Sequence, residues 1–272
     1  MYKPTKTMTK KMKRLFCIAL LSWTASIFAQ DYSDTSDTLI TDRPDATEAS
    51  STVGAGVLQL ETGGFYTSFE ENDFKEEVLG YNTTLLRYGI LENMELRLGW
   101  NFEETRFKAG GQELENVLSG FSPLLAGVKV DIAEEKGARP EIALIGHLFL
   151  PLSASTDYRP ETTGADFRFA LSHSLSEKSS LGYNVGAQWG GDSPEIGYIY
   201  TLSYGYSITD TFGCYIEVYG DFPEDSKANH FWDAGITYVV NPDFQLDATV
   251  GSGITEGQDL LLSAGFSYRI LK

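Results

Sequence analysis

From Ile196 to Ile208 the chain alternates with a period of two. Ile196, Tyr198, Tyr200, Leu202, Tyr204, Tyr206 and Ile208 share one parity; Gly197, Ile199, Thr201, Ser203, Gly205 and Ser207 share the other. That period belongs to an extended strand, and the run is far longer than the usual ~5–6 residues. One face is large and apolar, with aromatic residues towards both ends. The other is small and mostly polar. The pattern recurs in Leu96, Leu98, Trp100 and Phe102 against Glu95, Arg97, Gly99 and Asn101, and in Phe244, Leu246, Ala248 and Val250 against Gln245, Asp247, Thr249 and Gly251. Residues 181–189 and 260–270 repeat it. The alternation predicts strands at 56–69, 76–90, 94–105, 118–132, 139–150, 164–174, 180–190, 196–208, 211–222, 230–240, 243–254 and 258–270. Twelve is an even number, which suits a closed antiparallel barrel with both ends on one side.

The connections sort by length. Short ones follow the second, fourth, sixth, eighth and tenth strands, as at Leu91-Glu92-Asn93, Thr209-Asp210 and Asn241-Pro242. Longer polar ones are expected at Arg106 to Val117, Pro151 to Thr163 and Pro223 to Asn229. Short turns at one end and longer loops at the other mark an outer-membrane barrel, and a soluble sandwich has no reason to segregate them. A secreted soluble β protein is the competing fold. No transmembrane helix is needed, because a closed barrel satisfies its backbone hydrogen bonds between strands. Gly99, Gly127, Gly186, Gly205, Gly235 and Gly265 fall on the parity assigned inward, where missing side chains relieve crowding.

Composition adds compartment and excludes one class of partner. The 272 residues carry 38 Asp and Glu against 21 Lys and Arg, for a formal charge of -17. Six of the basic residues precede residue 30 and no acidic one does. So acidic a chain is unsuited to nucleic acid, which needs a basic surface. Lys10 to Arg14 form a basic start, Leu15 to Phe28 an apolar stretch, and Ala29 a small residue at the cut. That is the layout of a signal peptide over residues 1–29. The stretch is at most about 14 residues, short of the roughly 20 a spanning helix needs. Cys17 lies mid-core, not at the cut, so a lipoprotein reading fails. Cys214 then has no partner for an internal disulfide and reads as a small apolar strand residue.

Charge on the inward parity is the main candidate chemistry. Arg87, Arg97, Lys129, Arg168, Glu217, Asp233 and Arg269 are the candidate lumen or pathway residues, with Glu61, Glu95, Asp131, Glu141 and Asp247 on the same face. They read either as a charged constriction on a solute path or as an ion-pair network filling a narrow barrel. Mixed signs favour pairing over a selective ring. His147, His173 and His230 lie on separate strands with no metal-ligand spacing. There is no Gly-x-Ser-x-Gly elbow and no His-Glu-x-x-His. Ser172-His173-Ser174 is split across two strand faces. The reading is therefore no catalytic residue, no metal, no cofactor and no enzyme.

Residues 30–54 precede the barrel at 55–272 and read as a periplasmic segment. Asp42, Arg43, Pro44 and Asp45 within it are a candidate plug: Pro44 stiffens the backbone and the charges can cluster.

That segment also carries a resemblance. Ile40-Thr41-Asp42-Arg43-Pro44-Asp45-Ala46-Thr47-Glu48, followed by Gly56 to Gly63, resembles the opening of an outer-membrane barrel family whose members are labelled transporters or phenol meta-pathway degradation proteins. Leu85 to Ile90, Met94 to Gly99, Ser119-Gly120 and Leu125 to Lys129 extend it. The resemblance implies a barrel passing small, hydrophobic or aromatic molecules, and it supplies no ligand residues. One departure is the end Tyr268-Arg269-Ile270-Leu271-Lys272, where such barrels often close on an aromatic residue.

The expectation is an all-β, twelve-stranded, up-and-down transmembrane barrel in the outer membrane of a Gram-negative bacterium. It would transfer small molecules. Its partners would be outer-membrane lipid, an unnamed solute and, during biogenesis, the barrel-assembly machinery. The competing functions are a sealed barrel displaying acidic loops to a partner, and an outer-membrane lipid enzyme.

Overall fold

A computed structural model describes residues 39–192, 195–255 and 257–271; the signal-peptide reading and its cut after Ala29 lie outside the described residues. The strands are β1 Leu58–Glu71, β2 Phe74–Leu91, β3 Met94–Ala109, β4 Gln112–Phe121, β5 Leu124–Ala133, β6 Glu141–Leu150, β7 Gly164–Ser176, β8 Ser179–Trp189, β9 Ile196–Ser207, β10 Phe212–Pro223, β11 Asn229–Asn241, β12 Phe244–Gly253 and β13 Gln258–Leu271. Neighbours in sequence pair antiparallel except β4 and β5, which both pair with β3, and β1 pairs with both β2 and β13. With β2 also paired to β3, the sheet closes on itself.

The thirteen strand segments form twelve staves. β4 and β5 both pair with β3, β4 along Phe102 to Ala109 and β5 along Met94 to Gly99. They are two halves of the strand expected at 118–132. The break falls at Ser122-Pro123, where proline has no N–H to give the ladder. The expected loop from Arg106 to Val117 is corrected: β3 and β4 extend the barrel wall as a hairpin with a Gly110-Gly111 turn, both glycines at positive φ. Likewise, β1 and β2 run past the expected strand ends at 69 and 76 to a turn at Asn72-Asp73. Polar alternation on a solvated hairpin has the composition of a loop, so sequence does not separate the two. The connection after β6 is long, as expected, and holds two short 3-10 turns, Pro151–Ser153 and Thr156–Tyr158.

The molecule is inverted relative to a soluble domain. Leu98, Leu202, Tyr204, Val218, Ile236, Leu246 and Leu262 are exposed, whereas Arg87, Glu95, Lys129, Asn184, Glu217 and Ser267 are buried. An apolar outer face with a polar interior is the solvent logic of a membrane barrel. The outward and inward sets follow the sequence parity. Among the described residues the inward face is mostly polar, with Ala143, Ile145 and Ala170 among its apolar members, and the stretch 39–54 lies against it.

Candidate functional site: a luminal segment between two cavities

Residues 39–54 enter where Leu39 N–H donates to Pro242 O, 3.2 Å away in the β11–β12 turn. They leave where Gly56 N–H donates to Gly89 O at 2.9 Å. Between these points the segment bonds to side chains on β1, β2, β3, β5, β6, β7, β8, β9, β10, β12 and β13. Its composition explains this. Thr, Ser, Asp, Glu and Arg supply side-chain donors and acceptors at nine of its sixteen positions, and buried polar groups of the wall need such partners.

Asp42 is the centre of one half. Its Oδ2 lies 2.7 Å from Arg97 Nη1 and 3.3 Å from Arg87 Nη1; its Oδ1 lies 2.8 Å from Lys129 Nζ. Arg87 also grips Glu95 with two nitrogens, at 2.9 and 3.0 Å, and meets Glu61 at 2.9 Å. Arg97 reaches Glu48 at 2.6 Å and donates from Nε to His147 Nε2 at 2.9 Å. Since His147 Nε2 accepts, its Nδ1 carries the proton towards Asp166 Oδ1, 2.9 Å away. Arg168 bonds Asp166 at 2.8 Å and lies 3.6 Å from Glu48. Burial alone would raise the Asp42 carboxyl, but Arg87, Lys129 and Arg97 outweigh it and hold the group well below the carboxylate range. Glu48 is lowered in the same way, burial being outweighed by Arg97 and Arg168.

The other half is different. Ala46 N–H donates to Glu217 Oε2 at 2.7 Å, and the Thr47 hydroxyl donates to the same carboxylate. Thr47 Oγ1 also lies 2.7 Å from Thr201 Oγ1. Asp45 faces Glu217, with the Ser203 hydroxyl as a hydrogen-bond partner. Burial, then Glu217, push the Asp45 carboxyl up to about 8. Glu217 and Asp233 are directly opposite each other on β10 and β11. Beside them Arg43 is clipped to Asp247 at 2.8 and 3.1 Å, its guanidinium lying over Gly63 and Gly265.

All seven expected lumen residues thus lie on the inward face, six of them in two groups. Arg87, Arg97, Lys129 and Arg168 stand on the cationic side, Glu217 and Asp233 on the acidic side. Arg269 is apart, 3.2 Å from Asp243 near the β11–β12 turn. Of the four expected plug residues, Asp42, Arg43 and Asp45 make the contacts above, and Pro44 lies between them. The sequence reading did not single out Gln59, Thr47 or Asn184. Gln59 donates to Ile40 O at 2.8 Å, and Asn184 brackets the Glu48 backbone at 2.8 and 3.0 Å. Inward parity was the available signal, but it does not say which polar positions find partners.

Two cavities flank the segment. One of about 430 Å³ is lined by Leu85, Trp100, Leu125 and Phe149, with Asn101, His147 and Thr84. The other, about 470 Å³, is lined by serines on β7 to β9 with Lys178, Tyr206 and Gln245. Arg43, Asp45 and Glu48 border both. Trp100 belongs to the outward parity and reaches the first cavity beside the Ser122-Pro123 break.

The family match begins within this luminal stretch and runs from residue 41 to residue 270, under the description "Putative MetA-pathway of phenol degradation". The chain belongs to that family. Among solved structures, the chain is similar to the COG4313 outer membrane channel from Pseudomonas putida F1, with a TM-score of 0.62 and 14% identity over 81% of this chain and 97% of that one. It is also similar to the translocator domain of the autotransporter NalP from Neisseria meningitidis, with a TM-score of 0.50 and 11% identity over 80% and 89%. A monoaromatic hydrocarbon channel, CymD, aligns at 0.47 and 9% identity over 79% and 89%. At these identities the first two likenesses concern the barrel architecture. No curated protein matches the sequence. Family membership and the lipid-facing belt make the chain an outer-membrane β-barrel.

Proposed function

We propose that this barrel is an outer-membrane channel for small hydrophobic or aromatic molecules, with residues 39–54 as its internal plug. The observation that carries this reading is the 430 Å³ cavity against the plug, walled by Leu85, Trp100, Leu125 and Phe149 and dotted with polar groups. A volume of this order and an apolar wall with few polar groups suit a small ring-bearing solute. The family description points to phenolic chemistry, and the Pseudomonas putida neighbour is itself an outer membrane channel. Arg97 and Arg43 border the cavity but are engaged by Glu48, Asp42 and Asp247, so the floor is charge-compensated and favours a neutral solute. Solute would enter the cavity, wait on the plug, and pass to the serine-lined cavity when the plug yields.

The test has two parts. Single-channel conductance of the mature chain in a planar bilayer, with and without residues 39–53, should show larger or more frequent currents after deletion. Phenol should quench the tryptophan fluorescence of the folded chain saturably, and Trp100→Phe should weaken that quenching. Silence in both channel forms together with no saturable quenching would overturn the reading and favour a sealed barrel.

A further inference from the structure

This inference rests on the channel reading above and concerns which part of the plug moves. Residues 43–48 separate the two cavities, and Arg43, Asp45 and Glu48 border both. The chain on either side of an arm at residues 44–47 is tied by complementary charge or by short hydrogen bonds: Arg43 is held by Asp247 and Glu48 by Arg97. Asp42 is held by Arg87, Arg97 and Lys129. Ser50 donates to Glu141 at 2.6 Å, Thr52 to Asp131 at 2.7 Å, and Val53 N–H to Glu95 at 2.9 Å.

The tip of the arm lacks that complementarity. Asp45 faces the wall formed by β9, β10, β11 and β12. The groups presented there are Ser203 from β9, Glu217 and Tyr215 from β10, and Asp233 from β11; Thr249 of β12 bonds the Tyr215 hydroxyl at 2.8 Å. From its own segment Asp42 adds a further negative charge, while Arg43 is committed to Asp247. Three carboxylates therefore converge with no cation set among them in the described residues. A second observation falls on the same spot. Asp233 is 2% exposed, and its Oδ1 has no hydrogen-bond partner, a costly condition for a buried carboxylate oxygen unless a proton or small cation is shared there.

We propose that residues 44–47 form a gate arm that lifts off the β9–β12 wall while Asp42, Arg43, Glu48 and residues 50–53 stay tied, and that protons shared among Asp45, Glu217 and Asp233 hold the arm shut. Like-charged carboxylates at close quarters cannot all ionise without repulsion, so the closed arm keeps protons that an open, solvated arm releases. The direction follows. Asp45 has its carboxyl pushed up to about 8 when closed, by burial first and Glu217 second. In the open arm it returns to the ordinary carboxylate range. Closure is therefore fully supported below that range and is lost as pH rises to about 8, levelling off beyond. The arm moves rather than the whole segment because withdrawing Asp42, Arg43 or Glu48 would break ion pairs to the wall, whereas lifting Asp45 relieves repulsion.

The experiment is single-channel recording of the full mature chain in planar bilayers at pH 6 and pH 8.5. It compares wild type, Asp45→Asn, and Thr47→Cys with Thr201→Cys in a Cys214→Ser background. A variant lacking residues 39–53 is the control. The expected result is an open fraction at least about tenfold higher at pH 8.5 in wild type, since one pH unit of proton linkage is worth tenfold. Asp45→Asn should stay shut at both values. The oxidised cysteine pair should be shut at both, and reduction should restore opening. Equal opening at the two pH values, or opening of the oxidised pair, overturns the gate. If the deletion variant conducts while the full chain ignores pH, the gate fails and the channel reading stands. If the deletion variant carries no current the gate fails, and the channel reading fails with it when phenol quenching is also absent. Hydrogen exchange of residues 45–47 in the wild-type chain gives a readout free of any folding defect: exchange should rise with pH beyond the intrinsic base-catalysed rate there and not at Asp42, Arg43, Glu48 or residues 50–53. Uniform behaviour along the segment overturns the proposal.

Discussion

Asp42 and Arg97 meet at 2.7 Å in the lumen, 55 residues apart in sequence, one on an irregular segment and the other on a wall strand. The contact is nearly dry: the side chains are 4% and 2% exposed. Arg97 also holds Glu48 and Glu95, and Asp42 also holds Arg87 and Lys129. The pair is thus the junction between the luminal segment and three staves of the wall.

Replacing Asp42 by Ala should free the plug without unfolding the barrel. Breaking a buried pair by removing one partner costs about 3–5 kcal/mol, because the remaining charges stay buried and uncompensated. That cost falls on docking of residues 39–54, since the staves keep their own ladders. The measurement is hydrogen exchange over residues 39–53, with strand protection unchanged and larger bilayer currents. Asp42→Asn, which keeps the shape and loses the charge, should behave alike.

Gly265 and Gly63 leave room for the Arg43 guanidinium. A side-chain carbon at Gly265 would collide with it and with the Thr62 carbonyl oxygen. Gly265→Ala should displace Arg43 from Asp247 at a cost of about 1–3 kcal/mol, the usual scale of overpacking. Faster exchange at Asp42 to Ala46, with little change at Ser50 to Val53, would be the signature. An unchanged exchange profile would mean the wall absorbs the methyl.

Trp100 and Phe149 should set affinity for an aromatic solute. Each aromatic contact contributes about 0.5–1.5 kcal/mol beyond area burial. Trp100→Ala and Phe149→Ala are therefore expected to weaken phenol binding by roughly 3- to 10-fold each, read by calorimetry on the folded chain, with ion conductance little altered. The conductance readout separates a lost contact from a collapsed pore.

Leu202 and Ser203 are neighbours on β9 that face opposite solvents, the first exposed on the apolar belt and the second buried in the lumen. Leu202→Arg should cost about 2–4 kcal/mol if the site lies at the bilayer midplane. Ser203→Thr, on the other face, should cost far less. Urea unfolding of the barrel in lipid checks the contrast.

How legible the protein was depends on the scale. Alternation in 95–103, 196–208 and 243–253 fixed which residues face lipid and which face inward, because strand side chains alternate strictly and the two solvents differ so sharply. The same logic identified Arg87, Arg97, Lys129, Glu217 and Asp233 as luminal. It failed at the β3–β4 hairpin, where both faces are solvated above the membrane and polarity no longer reports on loop or strand. It also joined β4 to β5, since one proline does little to a hydropathy pattern but does interrupt a hydrogen-bond ladder. Mixed signs pointed to pairing, but which charge meets which lay beyond sequence. The charges on the inward parity are mixed in order along the chain, yet closure gathers the cations of β2, β3, β5 and β7 on one side of the lumen and the carboxylates of β10 and β11 on the other. The sequence by itself determined the barrel, its inversion and the polar character of residues 39–54. Only the closed tertiary structure decided that Asp42 sits among three cations while Asp45, three residues on, faces Glu217 and Asp233, because neighbours along a plug reach opposite walls of a ring.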